Sequence, residues 1–283
     1  MMKKPRSKKI ARYLGLEIGG VVFLVGLWCL LSFLVQTSNP ERGATILPSP
    51  IDVIRDFPAF ATYSLAANGQ ENIWIAIQVI AQNTLISLAR LLCGTLLGVV
   101  LGVTVGLLMA TYDKVNKMLS PILMVLRTIP ILALIPLFLA WFAGREEGNI
   151  IYITFAAFCM IVVNTIEATR NVPTVYSQYA RTLGASRAQI FRTVTLPHII
   201  PELIGGISVV IGMSWAFLLA AEYLAAQAGL GFMLIASERY LYTSKMVFIV
   251  LLLMALAILM NGIVLKIGKH ITRWKPRIQD SSK

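Results

Sequence analysis

Residues 84–110 read TLISLARLLCGTLLGVVLGVTVGLLMA, with Arg90 the only Lys, Arg, Asp or Glu among them. A helix needs about 20 mainly apolar residues to cross the hydrocarbon core, and the bilayer obliges such a segment to satisfy its own backbone hydrogen bonds. The segment therefore predicts a membrane-spanning helix. Its glycines Gly94, Gly98, Gly102 and Gly106 recur at every fourth position and so share one face, where a neighbouring helix approaches closely. Helix packing is the reading adopted for them, with a hinge or a substrate contact as the rival.

Five further stretches pass the same test, at about 14–36, 119–142, 149–169, 200–225 and 245–267. The composition agrees, since 57% of the 283 residues are hydrophobic and 13% charged, against about 45–50% and about 25% in soluble domains. A net charge of +12 does not imply nucleic acid, because the Lys and Arg lie between apolar runs and form no continuous face. They follow the positive-inside pattern. Lys3, Lys4, Arg6, Lys8, Lys9 and Arg12 place the N-terminus in the cytoplasm, and Lys266, Lys269, Arg273, Lys275 and Arg277 do the same for the C-terminus. The organisation read from this is a basic segment 1–13, a first transmembrane helix 14–36, an extracytoplasmic segment 37–83, a core 84–268 and a basic tail 269–283. In the outer segment, Ser49 is a candidate N-cap, with Pro50 in the first turn and Asp52 near the positive helix end, so a short amphipathic helix is expected there. Cys29, Cys93 and Cys159 are scattered through apolar runs, and with only His198 and His270 no metal site is expected.

The third span contains Pro130 and Pro136 in RTIPILALIP, residues 127–136. Each proline removes a backbone donor, and such breaks persist at membrane depth only against protein or a wet cavity. Pro130 and Pro136 are thus pathway candidates, joined by Arg127, by Ser214 and Trp215 in the fifth span, and by Glu222. For Arg127, Arg90 and Glu222, snorkelling or a structural ion pair competes with substrate contact, because all three sit towards span ends. Residues 262–269 imitate a phosphate-binding loop, but the glycine spacing is wrong and His270 stands where Ser or Thr is needed. No nucleotide-binding motif, and so no enzyme, is expected in this chain.

The segment between the fourth and fifth spans, 170–198, is too polar to cross a bilayer. Pro173 opens a helix, Gly184 closes it and Ser186 caps a second, expected to end before Pro197. Val175, Tyr179 and Leu183 recur on one helical face. This loop resembles the signature of permeases of ATP-binding-cassette importers: Ala180, Gly184, Val194, Leu196 and Pro197 match in register, while Gln178 and Tyr179 depart from the usual Glu and Ala. Leu47-Pro48-Ser49-Pro50, the broken span leading to Trp141-Phe142-Ala143-Gly144, and Ala220-Ala221-Glu222 followed by Gly229-Leu230-Gly231 are similar to the nitrate, sulfonate and taurine branch.

The resemblance implies an all-α, six-helix type I importer transmembrane domain in the bacterial inner membrane, working as a homodimer. It further implies two cytoplasmic ATP-binding subunits carrying ATP and magnesium, an extracytoplasmic substrate-binding protein, and transport of a small anion such as a sulfonate, taurine, nitrate or bicarbonate. Gln178, Tyr179, Ala180, Arg181, Gly184, Leu196 and Pro197 would form the loop that couples to the ATPase. A self-sufficient secondary carrier or a membrane scaffold would not require that loop.

Overall fold

The computed structural model describes residues 6–63, 72–142 and 145–274, without the side chains of 6–18 and 224–225. Lys3, Lys4, Lys275 and Arg277, and the pair Ala143-Gly144, lie outside the described residues. The described residues are helical throughout: α1 (Arg6–Ser38), α2 (Gly43–Ile46), α3 (Pro50–Arg55), α4 (Ile73–Thr111), α5 (Asp113–Thr128), α6 (Ile135–Phe142), α7 (Glu146–Arg170), α8 (Thr174–Thr182), α9 (Arg187–Ile190), α10 (Leu196–Ala225), α11 (Leu230–Arg239) and α12 (Thr243–Ile271). Five are long and apolar enough to span a membrane, and six spans result if α5 and α6, bent by 90° at their junction, count as one. The helix that carries the second span begins at Ile73, and the last helix reaches Ile271.

The chain forms two units, residues 1–81 with 234–251, and 82–233 with 252–283. In the first, the apolar stretch of α1 that follows Glu17 carries a stripe at helical spacing, Trp28, Ser32 and Gln36, whose side chains all turn to one turn of chain. Trp28 Nε1 donates to the Pro48 carbonyl at 3.0 Å, Ser32 Oγ to the Leu47 carbonyl at 2.9 Å and Gln36 Nε2 to Asp52 Oδ2 at 3.1 Å. Carbonyls that cannot join a helix are thereby satisfied from a neighbouring one. Ser49 then caps α3 in a capping box, its Oγ accepting the Asp52 N–H while Asp52 accepts the Ser49 N–H at 2.8 Å. Partial burial raises the Asp52 pKa, but the hydrogen bonds from Ser49 and Gln36 and the charge of Arg55 outweigh it and hold the carboxyl below its usual value. A 3₁₀ turn, Phe57–Tyr63, follows; Phe57 and Phe60 each pack on Phe248 with centroids 5.2 Å apart, and the Tyr63 hydroxyl meets Ser237 Oγ at 2.8 Å. Burial pushes the Tyr63 pKa up.

In the second unit α7 is the central helix. A Cβ built on Gly94, Gly98, Gly102 or Gly106 would lie 2.6–2.8 Å from the side chains of Ile153, Ala157, Ile161 and Thr165 respectively. The glycine stripe of α4 therefore lies directly on α7, each glycine one turn from the next on both helices. Ala157 and Ile161 also pack with Val210 of α10, and Ala168 with Ile199 and Leu203. Met109, Leu123 and Val162 join α4, α5 and α7. Ser208 of α10 hydrogen-bonds Asn261 of α12.

Candidate functional site

Three places in the second unit carry the residues singled out from the sequence. The first is the loop 170–198. α8 ends at Gly184, whose φ of +80° lies in the left-handed region. The Gly184 N–H donates to the Arg181 carbonyl at 2.9 Å and the Ala185 N–H to the Ala180 carbonyl at 3.0 Å, the paired bonds of a Schellman turn. Ser186 caps α9 in a second capping box with Gln189. The helix does not stop before Pro197, as the sequence suggests. It passes through a π turn, Phe191–Thr195, into α10, where Pro197 occupies the first turn and needs no N–H partner. On α8 the apolar face points outward, with Tyr179 71% and Leu183 81% exposed. Gln178, Arg181 and Gly184 are exposed too, while Ala180, Leu196 and Pro197 are half-buried, Leu196 against the Ala168 cluster.

The second place is the broken span. α5 stops at Thr128; Pro130 precedes a 3₁₀ turn, Ile131–Leu134, and Pro136 sits in the first turn of α6. Both prolines are exposed. Arg127 lines an open cleft of about 400 Å³ between α5 and α7. Ser214 and Trp215, pathway candidates from the sequence, are buried in the protomer. Ser214 Oγ returns to the Val210 carbonyl at 2.8 Å, and the exposed face of α10 carries Val209, Gly212 and Met213.

The third place is an ion network that sequence reasoning left undecided. Arg90 is 2% exposed and Glu222 0%, so neither snorkels and Glu222 opens on no cavity. Arg90 Nη1 donates to Glu222 Oε1 at 2.7 Å, and its Nε and Nη2 donate to Glu146. Ser87 Oγ bonds the same Glu222 carboxylate at 2.8 Å, and the Gly231 N–H donates to it at 2.9 Å. One guanidinium thus serves two carboxylates, and the positive N-terminal end of α11, which Glu222 also faces, offsets part of the excess negative charge. The segment 228–231 is held in turn by α4: Asn83 accepts the Gly229 N–H, Ser87 the Leu230 N–H, and Arg90 donates to the Ala228 carbonyl. Only glycine fits here, since a Cβ on Gly229 or Gly231 would fall within 2.6 Å of Glu222, and Gly229 has φ +115°. The missed signal was Asn83, Ser87 and Arg90 at helical spacing in an apolar segment, a polar stripe like that of α1.

Among the described residues no group of His, Cys, Asp and Glu could hold a metal ion. Residues 73–273 match the family described as "Binding-protein-dependent transport system inner membrane component". A probable ABC transporter permease protein of Brucella abortus (strain 2308) is 32% identical over 94% of this chain and 99% of its own length. The taurine transport system permease protein TauC of Escherichia coli (strain K12) is 29% identical over 95% of this chain and 93% of its own. Among solved structures, an inward-facing MetNI methionine ABC transporter shares the fold, with a TM-score of 0.61 and 23% identity over 69% of this chain and 97% of that one. The chain therefore belongs to the binding-protein-dependent inner membrane component family, the non-enzymatic membrane subunits of ABC transporters, whose ATPase is a separate subunit.

Proposed function

We propose that this permease imports a small anion, of the sulfonate, taurine, nitrate or bicarbonate kind, as one half of a homodimer. Two cytoplasmic ATP-binding subunits drive it and an extracytoplasmic binding protein delivers the solute. The distribution of Lys and Arg supports a cytoplasmic position for both termini and for the loop 170–198. The observation that carries the reading is the α8 knob. An exposed apolar and aromatic face, backed by Arg181, Arg187 and Arg192 and fixed in angle by the left-handed Gly184, is a surface shaped for a protein partner. Gln178, Tyr179, Ala180, Arg181 and Gly184 form that knob, and Leu196 and Pro197 root it in α10. Arg127, Pro130 and Pro136 belong to the wet side of the broken span. The anion class rests on the taurine relative.

The test is uptake into liposomes carrying the permease with its ATP-binding subunits and binding protein. Taurine, alkanesulfonates, nitrate and bicarbonate are offered one at a time. One of them is expected to accumulate only with ATP and the binding protein both present. Accumulation by the permease alone, driven by a proton or sodium gradient, would overturn the reading in favour of a secondary carrier.

A further inference from the structure

The cleft between α5 and α7 has a chemistry of its own. Asn116, Ser120, Arg127 and Thr128 line one wall and Glu167 and Arg170 the other, with Met109 and Leu123 among its apolar residues. Asn116, Ser120 and Arg127 share one face of α5, and that face turns to the cleft; Met118, Ile122 and Val125 on the other faces are exposed apolar residues. Polar and charged residues of a spanning element that turn inward mark a wet cavity rather than a lipid contact. Arg127 and Arg170 contribute two positive charges and Glu167 one negative. Among the described residues no ion pair within 4.0 Å joins Glu167 to Arg127 or Arg170, and the three charges together leave the cleft with a net charge of +1. Ser120 Oγ donates to Asn116 Oδ1 at 2.8 Å, which occupies the acceptor of Asn116 and leaves its amide N–H groups to donate. The ligand-facing groups are thus an excess of cations and donors. Guanidinium forks match the planar or tetrahedral oxygens of oxyanions. A volume of about 400 Å³ exceeds that of a single small ion several times, at about 30 Å³ per water molecule.

We propose that this cleft binds a small oxyanion, with Arg127 and Arg170 as its charged partners and Asn116 as a neutral donor. The proposal rests on the importer reading for why such an anion arrives there, and on the charges of the cleft for its binding. Nitrate or a sulfonate in transit and the phosphate of a lipid headgroup share this chemistry, and the experiment separates them.

Met124 lines the cleft and is 74% exposed, so it serves as a reporter. In the full permease–ATPase complex, with Cys29 and Cys93 changed to alanine, Met124→Cys is treated in phosphatidylcholine nanodiscs with matched sulfonate-bearing and trimethylammonium-bearing methanethiosulfonates. The anionic reagent should react about tenfold faster, the lower end of what local electrostatic focusing produces. Arg127→Gln together with Arg170→Gln should abolish the preference, Arg127→Lys should keep it, and millimolar nitrate or methanesulfonate should protect the thiol. Protection in phosphatidylglycerol nanodiscs without added solute, undiminished by either anion, would assign the site to a headgroup. Equal rates for the two reagents, a preference that survives both Gln substitutions, or inertness to both reagents would overturn the proposal. If the charge preference is found but ATP-driven anion uptake is not, the importer reading fails and the anion cleft stands; the reverse pair of results removes the cleft alone.

Discussion

Glu222 receives hydrogen bonds from Ser87, Arg90 and Gly231 in a setting with no exposed surface. Such a buried charge is tolerable only while its partners stay, and removing one partner of a buried pair costs about 3–5 kcal/mol. Arg90→Ala is therefore expected to lower the thermal unfolding midpoint of the detergent-solubilised permease severely, whereas Arg90→Met combined with Glu222→Gln should recover part of the loss. A fully stable Arg90→Ala protein would show that the network contributes little. Asp52 makes a milder case at the other end of the exposure scale. Its folded pKa lies below the unfolded one, so its stabilisation is complete above the usual carboxylate pKa of about 4 and is lost as pH falls through the folded value. Trp28, bonded to Pro48 near that turn, supplies the signal. Its fluorescence should stay constant from neutral pH down to about 4 and change only below, and Asp52→Asn should produce the acid spectrum at neutral pH.

Among the elements, the α4–α7 pair is held by geometry that leaves no spare room. A Cβ on Gly98 would meet the Thr154 carbonyl oxygen and the Ala157 Cβ, both at 2.6 Å, and backbone cannot step aside as a flexible side-chain end can. Gly98→Val is expected to cost about 1–3 kcal/mol through overpacking, while Gly205→Ala, with nothing within 4 Å, should not destabilise. Parallel melting curves of the two variants check this, and equal behaviour would remove the close approach as the cause. Much of this level was legible beforehand. Period-four glycines, the Ser49 and Ser186 caps and the Gly184 turn are local chemistry, and local chemistry can be read along the chain. The cleft and the ion network were not legible, because Arg90 meets Glu146 and Glu222 across sequence separations of 56 and 132 residues. The burial of Ser214 and Trp215 was not legible for a related reason, since which face of α10 is open depends on how α7 packs against it. The π turn was hidden too, because Pro197 reads equally well as the end of one helix or the first turn of the next.

For the whole molecule, the proposed transport cycle requires ATP hydrolysed on one subunit to move helices in another, with the α8 knob as the proposed point of contact. Val at Gly184 would strain the left-handed turn by about 1–2 kcal/mol and change the angle of the knob. Gly184→Val should leave the protein inserted in the membrane but abolish uptake and release the ATP-binding subunits on purification. Retention of both subunits with normal transport would withdraw the coupling role. From Arg187 to Tyr223 the polypeptide runs as one helix of 37 residues, about 55 Å at 1.5 Å per residue. One end stands beside the knob and the other bears Glu222. Mechanically that is a lever arm, and the π turn near its driven end, with Gly205-Gly206 further along, gives it compliant joints. In the proposed cycle a shove at the foot would reach the far tip as tilt or torsion instead of fading through soft side-chain packing, and hydrolysis on one face of a bilayer would gain purchase on the opposite face.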